Sequence, residues 1–352
     1  MFEDLIQDWD GEEVVVRFDA PADAWMFVCV HSTVRGPSSG GTRMKVYPTP
    51  TDALRDGLRL SEAMTRKNAV AGLPMGGGKG ILAVSEVPRG EARRGLLLRY
   101  GDLVASLGGT YVTACDMNTT AEDMDVVAER CPYTLGRTVE AGGSGGSGPS
   151  TAVGVFHGIR ASVAHAFGSE DLGGRSVLVQ GLGAVGGTLV QLLAEAGAGL
   201  LVSDVDPDRA GAAADRFGAK VVDPDQVVGT ECDVFSPCAT GRILSAQTIP
   251  RLRCRVVAGA ANNQLVTGEY GERLGQAGIV YAPDYVVNAG GIIRLVGLER
   301  LGWSEQQLDE RLAGIGDTLT EVYAIAEAEG ISTEAASGRI VERRLAEAQS
   351  EA

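Results

Sequence analysis

The sequence is poor in the residues that build metal centres and disulfide frameworks. It has three histidines and six cysteines in 352 residues, and the cysteines (positions 29, 115, 131, 232, 238 and 254) form no Cys-x-x-Cys pair. Zinc sites need closely spaced Cys and His ligands, and small secreted domains need paired cysteines. The sequence therefore predicts no metal site, and it predicts reduced, mostly buried thiols, as in a cytoplasmic protein.

Long apolar runs and excess positive charge are also missing. No stretch of about 18 apolar residues is present to span a bilayer. The first twelve residues, MFEDLIQDWDGE, are acidic and lack the basic and apolar regions of a signal peptide. With 31 basic and 46 acidic side chains the net charge is −15, which argues against a nucleic-acid or anionic-membrane partner because phosphates are bound by clustered Lys and Arg.

What is present indicates an ordinary globular protein. The hydrophobic fraction is 44% and the chain is long enough for two domains with sizeable cores. The 49 glycines show no collagen-like period, so they are interpreted as turns and as places where two backbones approach closely.

The first part of the chain alternates strand and helix signals. Two β-branched runs are typical of paired strands, and later segments show helical periodicity or short buried runs. The predicted elements are strands at Val14–Phe18 and Trp25–Val34, a helix at Thr51–Met64, a glycine-rich turn at Gly76–Gly80, a strand at Ile81–Val84, a helix at Glu91–Leu107 and a strand at Thr110–Ala114. The first domain is therefore predicted to be α/β.

The strongest boundary signal is the stretch GGSGGSGP at 142–149. It is typical of a flexible linker, and it would also suit a hinge beside a ligand. After a helix at Thr151–Phe167, strands and helices alternate again, which predicts a parallel, doubly wound sheet. We expect a domain at 1–136, on which a C-terminal helix at about 325–352 packs back, a Rossmann-type domain at 137–324, and a cleft between them.

A dinucleotide fingerprint lies in the second domain. Gly181, Gly183 and Gly186 match G-x-G-x-x-G between a buried strand and a helix, and Asp204 ends the next strand 23 residues after Gly181. A turn of purely structural role is the alternative. The glycines allow a tight turn and close approach of a pyrophosphate, and Asp204 would bind the adenosine ribose and repel a 2′-phosphate, which favours NAD over NADP. The residues of the turn predicted to contact the cofactor are Gly181, Leu182, Gly183, Ala184, Val185 and Gly186.

A second group of interest surrounds two of the four lysines. Lys79 follows three glycines, but the segment is not a phosphate-binding Walker loop, because Leu73 and Gly80 replace required residues. A lysine is usually a solvated surface charge. A desolvated lysine, however, titrates below its usual value of about 10.4 and can act as a general base. Lys67 and Lys79 flank an apolar segment, and Asp116 is a candidate carboxylate partner or a simple turn cap.

At these residues the chain resembles the Glu/Leu/Phe/Val dehydrogenase family over nearly its whole length. The segments that carry the resemblance are GGTRM (40–44), MTRKNAVAGLPMGGGKG (64–80), TACDMNTTAEDMD (113–125), GAANNQL (259–265) and APDYVVNAGG (282–291). Within the family, WDGE (9–12), TAVGVF (151–156), VQGLGAVGG (179–187) and VAGAANN (257–263) are most similar to actinobacterial phenylalanine dehydrogenases.

The resemblance implies NAD-dependent, reversible oxidative deamination of an L-amino acid to a 2-oxo acid and ammonia, in a homo-oligomer. It assigns Lys79 to activating water and Asp116 to moving protons to and from the amine. Binding of the substrate carboxylate falls to Lys67, near Asn262 and the backbone of Gly40 and Gly41. The further cofactor or substrate contacts that it implies are Thr151, Ala239, Ala260, Asn262 and Asn288.

The substrate side chain is predicted to be apolar. Glutamate-type members have a lysine and a serine where this chain has Ser39 and Leu295, and a buried second carboxylate would lack its cation. The predicted pocket consists of Ser39, Met64, Pro74, Ala114, Ile292 and Leu295.

The choice between aromatic and branched-chain substrates is close. Ala114 resembles leucine-type members, whereas Leu295 and Asn118 resemble phenylalanine-type members, and one methyl group changes discrimination by only about 1–3 kcal/mol. We expect L-phenylalanine, with leucine or valine as the alternative. Arg294 has no assigned role.

Two other classes compete with this interpretation. A 2-hydroxy-acid dehydrogenase would need a catalytic His–carboxylate pair, and the three histidines lie in strand-like or helix-like segments. An NAD-binding sensor on a retired scaffold would be expected to have lost Lys67, Lys79 or Asp116, and all three are present.

Overall fold

The structure, a computed structural model, describes residues 2–351, which form two units. The first unit runs from the N-terminal helix to Gly146 and also contains Leu295–Gly302 and the residues from Val341 onward. The second unit contains Ser147–Arg294 and Trp303–Ile340. Each unit is therefore assembled from more than one segment of the chain.

The observed limits of the units differ from the predicted domain limits. The first unit continues past 136 to Gly146, inside the glycine-rich stretch at 142–149, and its C-terminal segment begins at Val341 rather than at about 325. The half-buried carboxylate of Glu299, in the first unit, explains the first difference. Glu299 accepts hydrogen bonds from the amides of Gly136 and Ser144, both at 2.9 Å, so the segment between these residues is tied to the first unit.

The first unit has a mixed five-stranded sheet. Its elements are α1 (Phe2–Gln7), β1 (Glu13–Asp19), β2 (Ala24–Ser32), β3 (Ser38–Lys45), α2 (Pro50–Val70), β4 (Gly76–Val84), α3 (Gly90–Ala105), β5 (Tyr111–Cys115) and α4 (Ala121–Ala128). The strand order is β1-β2-β4-β3-β5. The pairs β1–β2 and β2–β4 are antiparallel, and the pairs β4–β3 and β3–β5 are parallel. Strand β3 and helix α4 are not among the elements that the sequence predicts.

Helices cover both faces of this sheet. Phe27 and Ile81 pack with Leu54 of α2 on one face, and Met26 and Tyr111 belong to the core cluster on the other face, with α3 and α4. A residue and its neighbour in a strand point to opposite faces, which explains why Met26 and Phe27 enter different clusters. The charged side chains of the candidate site lie on the face of the sheet that α2 covers.

The glycine run at Gly76–Gly80 is a strand and not the turn that the sequence predicts. All nine residues of β4 are buried. A Cβ atom on Gly77 would lie 2.1 Å from the backbone nitrogen of Thr65 in α2, and one on Gly80 would lie 2.0 Å from the hydroxyl of Tyr100 in α3. Glycine is required here because helices on both faces approach the strand more closely than any side chain permits.

The C-terminal residues of the chain secure the end of α2. Arg344 donates to the carbonyl oxygen of Ala69 at 3.0 Å and to that of Val70, while the Arg35 guanidinium binds the carbonyls of Leu73 and Arg344. The last carbonyls of a helix have no partner within the helix, and a cation is the natural group to bind them. The helix that carries Lys67 therefore ends at a fixed place.

The second unit has a parallel six-stranded sheet. Its strands are β6 (Ser176–Gln180), β7 (Gly199–Ser203), β8 (Lys220–Val221), β9 (Val234–Pro237), β10 (Val256–Val257) and β11 (Val280–Tyr281). Its helices are α5 (Gly148–Phe167), α6 (Ala184–Glu195), α7 (Pro207–Phe217), α8 (Glu269–Gln276), α9 (Asp284–Val287), the start of α10 (Gly290–Glu299), α11 (Glu305–Glu329) and the start of α12 (Thr333–Glu351). The order β11-β10-β9-β6-β7-β8 confirms the predicted Rossmann-type arrangement, in which a ligand site forms where the strand order reverses.

Within residues 2–351, no helix is both long and apolar enough to cross a membrane. The same residues contain no group of three or more His, Cys, Asp and Glu side chains that could hold a metal ion. All six cysteines are free, and burial raises the pKa of Cys232 and Cys254 to about 12, so these two thiols are unreactive near neutral pH.

We expect Gly80→Ala to lower the free energy of unfolding by about 1–3 kcal/mol, because its methyl group would overlap the buried Tyr100 hydroxyl. The matched control is Gly211→Ala in α7, where a Cβ meets nothing within 4 Å; it should be neutral or stabilising by up to about 1 kcal/mol. Urea denaturation of the full chain measures both changes. A Gly80→Ala protein as stable as the wild type would contradict the packing argument.

Candidate functional site

The first unit contains a buried ion pair between the two residues predicted to be catalytic. The Nζ atom of Lys79 lies 2.7 Å from Oδ2 of Asp116. Lys79 is only 5% exposed, although it is one of four lysines in the chain. A lysine is almost never this deeply buried without a partner, so the pair is a built feature rather than a surface charge.

Strand register explains why these residues meet. Gly41 of β3 pairs with Ala114 of β5, and Thr42 pairs with Gly80, the residue after Lys79. Gly41 therefore lies between Lys79 and Ala114 in one row across the sheet. A Cβ on Gly41 would lie 2.8 Å from Cβ of Asp116, so the missing side chain leaves room for the carboxylate.

The turn after β5 holds Asp116 in place. The amide of Asp116 donates to the hydroxyl of Thr119 at 2.8 Å, and that hydroxyl is 2.8 Å from the carbonyl of Thr42, to which it donates. Asn118 adopts φ +60° and its amide donates to the carbonyl of Met44 at 3.0 Å. The Asn118 side chain, predicted to bear on substrate choice, is engaged in this turn.

Four further residues, none of them predicted from the sequence, complete the network. Nε of Arg43 lies 3.0 Å from Oδ2 of Asp116, and its NH1 lies 3.0 Å from Oδ2 of Asp56 on α2. Asp56 also accepts from the hydroxyl of Tyr47 at 2.8 Å and from Arg59 at 2.9 Å. Arg43 lies two residues after Gly41 and hence on the same face of β3. This alternation could have placed Arg43 beside the pair, but only if the sequence had predicted β3 as a strand.

The charges and the burial in this network shift the pKa values of Lys79 and Asp116. Burial lowers the pKa of Lys79 below its ordinary 10.5, and the attraction of Asp116 offsets this only in part. Burial raises the pKa of Asp116, but Lys79 and Arg43 outweigh it and bring that pKa to about 2. Asp116 is therefore a carboxylate at neutral pH, and Lys79 loses its proton more readily than an ordinary lysine does.

The other residues predicted to bind substrate in this unit lie close to the pair in the fold. Met64 and Lys67 are three residues apart on α2, hence on one face of that helix, and Lys67 is half-buried. A Cβ on Gly40 would lie 3.3 Å from Cγ of Met64. Ser39 is buried, and its hydroxyl accepts from Asn68 at 2.9 Å.

The two predicted pocket residues of α10 fall in different units. Ile292 is half-buried in the second unit. Leu295 is 7% exposed and belongs to the first unit, where its methyl groups approach Gly136. Arg294, which had no predicted role, lies 4.0 Å from Glu305 within the second unit.

The second unit contains the predicted dinucleotide turn. Gly181 has φ +91°, and its amide donates to the carbonyl of Ser203 at 2.7 Å. A Cβ on Gly186 would lie 1.8 Å from the Gly181 carbonyl oxygen, whereas one on Gly183 would meet nothing within 4 Å. Gly181 and Gly186 are therefore needed for the turn itself, and Gly183 leaves the space above the start of α6 open for a ligand.

A cavity of about 350 Å³ adjoins this turn. It is lined by Gln180, Gly181, Gly183, Ser203, Asp204, Val205, Arg209, Pro224, Cys238, Ala239 and Thr240. Asp204 accepts from the amide of Leu182 at 2.6 Å and from that of Asp206 at 2.9 Å. Burial raises the pKa of Asp204, but these amides outweigh it and lower that pKa, so the side chain is a fixed negative charge at the cavity wall.

The remaining predicted cofactor residues form a second group in this unit. Asn288 donates to the carbonyl of Ala260 at 3.1 Å and to Oδ1 of Asn262 at 2.9 Å. Beneath this loop the buried Gln264, which the sequence analysis missed, donates to the carbonyls of Gly259 and Ala261. Thr151, in the first turn of α5, donates from its hydroxyl to the carbonyl of Ser147, and a Cβ on Gly291, three residues after Asn288, would lie 2.9 Å from that hydroxyl.

These residues fit a bound dinucleotide. The cavity offers an open glycine turn at a helix start, where a pyrophosphate can bind the backbone amides of the first residues, Ala184 and Val185. Among the described residues of this unit, four buried side-chain oxygens have no hydrogen-bond partner: Oε1 of Gln180 and Oγ of Ser203, whose residues line the cavity, and Oε1 of Gln264 and Oδ1 of Asn288 in the second group. Buried polar atoms are normally paired, so a ligand or its water is the natural partner for them.

Comparison with known proteins defines the class. The family model described as Glu/Leu/Phe/Val dehydrogenase, dimerisation domain, matches residues 22–133, and the model described as Glutamate/Leucine/Phenylalanine/Valine dehydrogenase matches residues 208–352. The chain belongs to the Glu/Leu/Phe/Val dehydrogenase family. It is an amino-acid dehydrogenase, an oxidoreductase with NAD as its cofactor. Membership in this class favours the amino-acid dehydrogenase over the two competing interpretations, an NAD-binding sensor and a 2-hydroxy-acid dehydrogenase.

Relatives with known names cover nearly the whole chain. Leucine dehydrogenase of Thermoactinomyces intermedius is 41% identical over 342 residues, which are 97% of this chain and 93% of the relative. Valine dehydrogenase of Streptomyces albus is 42% identical over 341 residues, 96% of this chain and 93% of the relative. The crystal structure of L-tryptophan dehydrogenase from Nostoc punctiforme superposes with a TM-score of 0.86 at 36% identity, covering 99% of both chains.

The comparisons correct one expectation. The sequence motifs were expected to place the chain nearest to phenylalanine dehydrogenases, whereas the relatives at 41–42% identity are leucine and valine dehydrogenases. One of the motifs on which that expectation rested, VQGLGAVGG, spans the end of β6, the glycine turn and the start of α6, and none of the predicted substrate-pocket residues lies in it.

We expect Asp204→Asn to weaken NADH binding about 10- to 100-fold, because it removes the charged acceptor for the ribose hydroxyls. The ratio of NADH affinity to NADPH affinity should also become smaller. Fluorescence titration of the full chain with each nucleotide measures both effects. Asp215→Asn, the same change on the exposed face of α7, is the control and should bind like the wild type. Equal NADH affinity in Asp204→Asn would contradict the assignment.

Proposed function

We propose that this enzyme catalyses the NAD-dependent, reversible oxidative deamination of a branched-chain L-amino acid, leucine or valine, to its 2-oxo acid and ammonia. The observation that carries the chemistry is the buried contact of 2.7 Å between Lys79 and Asp116. The choice of substrate is supported by 41–42% identity to leucine and valine dehydrogenases over nearly the full chain.

The proposed roles follow from the two pKa shifts. Asp116, a carboxylate at neutral pH, accepts a proton from the substrate ammonium so that the nitrogen lone pair becomes available. NAD, when bound, accepts the hydride from the α-carbon. Neutral Lys79 then removes a proton from the water that attacks the imine carbon, and its ammonium form stabilises the oxygen that develops there. Asp116 returns its proton to the departing nitrogen, and the C–N bond breaks as the C=O bond of the 2-oxo acid forms. The hydroxyl proton released in this step passes to the Asp116 carboxylate and then to solvent, as does the proton on Lys79.

The proposed binding roles use the rest of the first unit. Lys67, in the last turn of α2, holds the substrate carboxylate, and the glycines of β3 leave room for the α-carbon beside Lys79. Ala114 is buried in the row of Gly41, so its methyl group shortens the space for the substrate side chain. This supports a branched aliphatic side chain rather than an aromatic one.

The test is the initial rate of NADH formation with L-Leu, L-Val, L-Phe, L-Tyr and L-Glu between pH 7 and 11. Leu or Val should be fastest. Because base catalysis needs neutral Lys79, the rate should rise with pH through an apparent pKa below 10.5. Lys79→Ala should lower kcat about 10²- to 10⁴-fold, and Lys220→Ala, at an exposed position on β8, should leave it unchanged.

Each part of the proposal has its own failing result. A higher kcat/KM for Phe than for Leu and Val would return the substrate assignment to the aromatic class while leaving the chemistry in place. Turnover by Lys79→Ala at the wild-type rate would remove Lys79 from the mechanism. A rate that is flat with pH would contradict its role as a base.

We also propose that copies of this chain associate through β1. The matched model for residues 22–133 is described as a dimerisation domain, and β1, which lies just before these residues, is an edge strand of the sheet that they continue. Val16 and Phe18 on β1 are 38% and 46% exposed, and Phe18 contacts the exposed ring of Trp25 with centroids 5.1 Å apart. An open strand edge with exposed apolar side chains favours pairing with another strand.

We expect Phe18→Lys to shift the protein toward smaller species in sedimentation-velocity experiments, because a charge would be placed in the apolar contact. Val221→Lys, at an exposed valine on the edge strand β8 of the other sheet, is the control and should sediment like the wild type. An unchanged distribution for Phe18→Lys would place the contact elsewhere.

A further inference from the structure

Asp116 is bound by two cations through a single oxygen atom. Lys79 and Arg43 both contact Oδ2, at 2.7 and 3.0 Å. A carboxylate oxygen has two lone pairs and can accept both donors. Oδ1 takes part in neither contact, so it is the oxygen from which a proton can be exchanged with the substrate nitrogen.

Arg43 is itself held in a fixed orientation. Its NH1 binds Oδ2 of Asp56, which lies on α2 and accepts further hydrogen bonds from Tyr47 and Arg59. The side chains of Arg43 and Asp56 are only 16% and 17% exposed. A guanidinium is planar and can bridge two carboxylates with separate nitrogen atoms, which a lysine cannot do.

The charges of this cluster decide what happens when Lys79 loses its proton. Lys79, Arg43 and Arg59 carry three positive charges, and Asp116 and Asp56 carry two negative charges. With Lys79 protonated the cluster has a net charge of +1, and with Lys79 neutral it has none. Without Arg43 the protonated cluster would instead be neutral, and loss of the Lys79 proton would leave an unpaired buried carboxylate charge, which is costly.

We propose that Arg43, anchored by Asp56, is a positioning residue for the amine chemistry: it shares Oδ2 of Asp116 with Lys79, so that the negative charge of Asp116 is divided between two cations and is not held by Lys79 alone. The proposal rests on the role of Lys79 in the proposed function. It assigns a task to a residue that contacts neither the proposed substrate nor the cofactor directly.

The groups around Lys79 come from every neighbouring element. They are Cys29 on β2, Arg43 on β3 with Tyr47 beyond it, Asp56, Arg59 and Lys67 on α2, and Asp116 after β5. Burial raises the pKa of Cys29 to about 12 and raises that of Tyr47, so both are neutral in the working range. Hydrogen bonds from Tyr47, Arg59 and Arg43 lower the pKa of Asp56 despite its burial, so Asp56 stays charged.

The test uses two variants that should shift the pH dependence in opposite directions. Arg43→Gln removes a positive charge, so the apparent pKa of the kcat profile should rise by about one pH unit or more. Asp56→Asn removes a negative charge, so the same pKa should fall. Arg43→Lys should restore the wild-type pKa in part, because it returns the charge without the bridging geometry. Arg55→Gln on the exposed face of α2, where Arg55 pairs with Asp52, should match the wild type.

A second readout does not depend on turnover. The rate at which acetic anhydride acetylates Lys79 in the full chain, followed by mass spectrometry as a function of pH, reports the ionisation of this amine directly. Its midpoint should move in the same directions as the kcat profile. The opposite shifts of Arg43→Gln and Asp56→Asn are a result that a merely structural role would not give.

The outcomes separate this inference from the proposed function. Profiles and labelling curves of Arg43→Gln and Asp56→Asn that coincide with the wild type would overturn the inference, as would shifts of the same sign. If Arg43→Gln fails to fold, the kcat profile and the labelling curve of Asp56→Asn still test the inference. If Lys79→Ala turned over at the wild-type rate, the role of Lys79 in the proposed function would be refuted. Labelling of Lys79 in the wild type and in Asp56→Asn would still test the effect of the cluster on the ionisation of that amine.

Discussion

A buried ammonium group is the constraint on which the first unit of this enzyme depends. Lys79 is almost fully desolvated, and an isolated charge in such a place would be strongly destabilising. Asp116 compensates the charge, Arg43 competes for the same oxygen, and Asp56 holds Arg43. The positions of β3, α2 and the turn after β5 are therefore fixed by the need to bring these side chains to one lysine.

The glycines of β3 and β4 serve the same constraint. Glycine is disfavoured in strands because it leaves nothing to pack and loses the most backbone entropy on folding. Here it allows α2 and α3 to approach β4 from both faces and leaves room for Asp116 beside Gly41. The close approach excludes water from Lys79, and this exclusion is what lowers its pKa. The unfavourable local propensity of the glycine run is thus offset by packing that the function requires.

The contrast between the two units shows what a sequence can reveal. The dinucleotide turn, the strand before it and Asp204 were predictable because they lie within one short segment and each residue type has a local reason. Arg43 and Asp116 are 73 residues apart, and their contact depends on the pairing of β3, a strand whose sequence SSGGTRMK has little β-branched character. Lys79 and Asp116 were singled out by their local sequence context, and a family resemblance then gave them catalytic roles, whereas Arg43 and Asp56 required the register of the sheet.

The cluster also indicates why a lysine rather than a histidine suits this position. In its protonated form the cluster of Lys79, Arg43, Arg59, Asp116 and Asp56 has one excess positive charge, so release of the Lys79 proton leaves two cations and two carboxylates in balance. A histidine has an ordinary pKa near 6.5, and the same burial and the same excess charge would lower it further. It would then remain neutral throughout the working range and could not present a cation to the developing oxygen. A lysine, which starts near 10.5, can be brought into a range where both forms are populated during turnover.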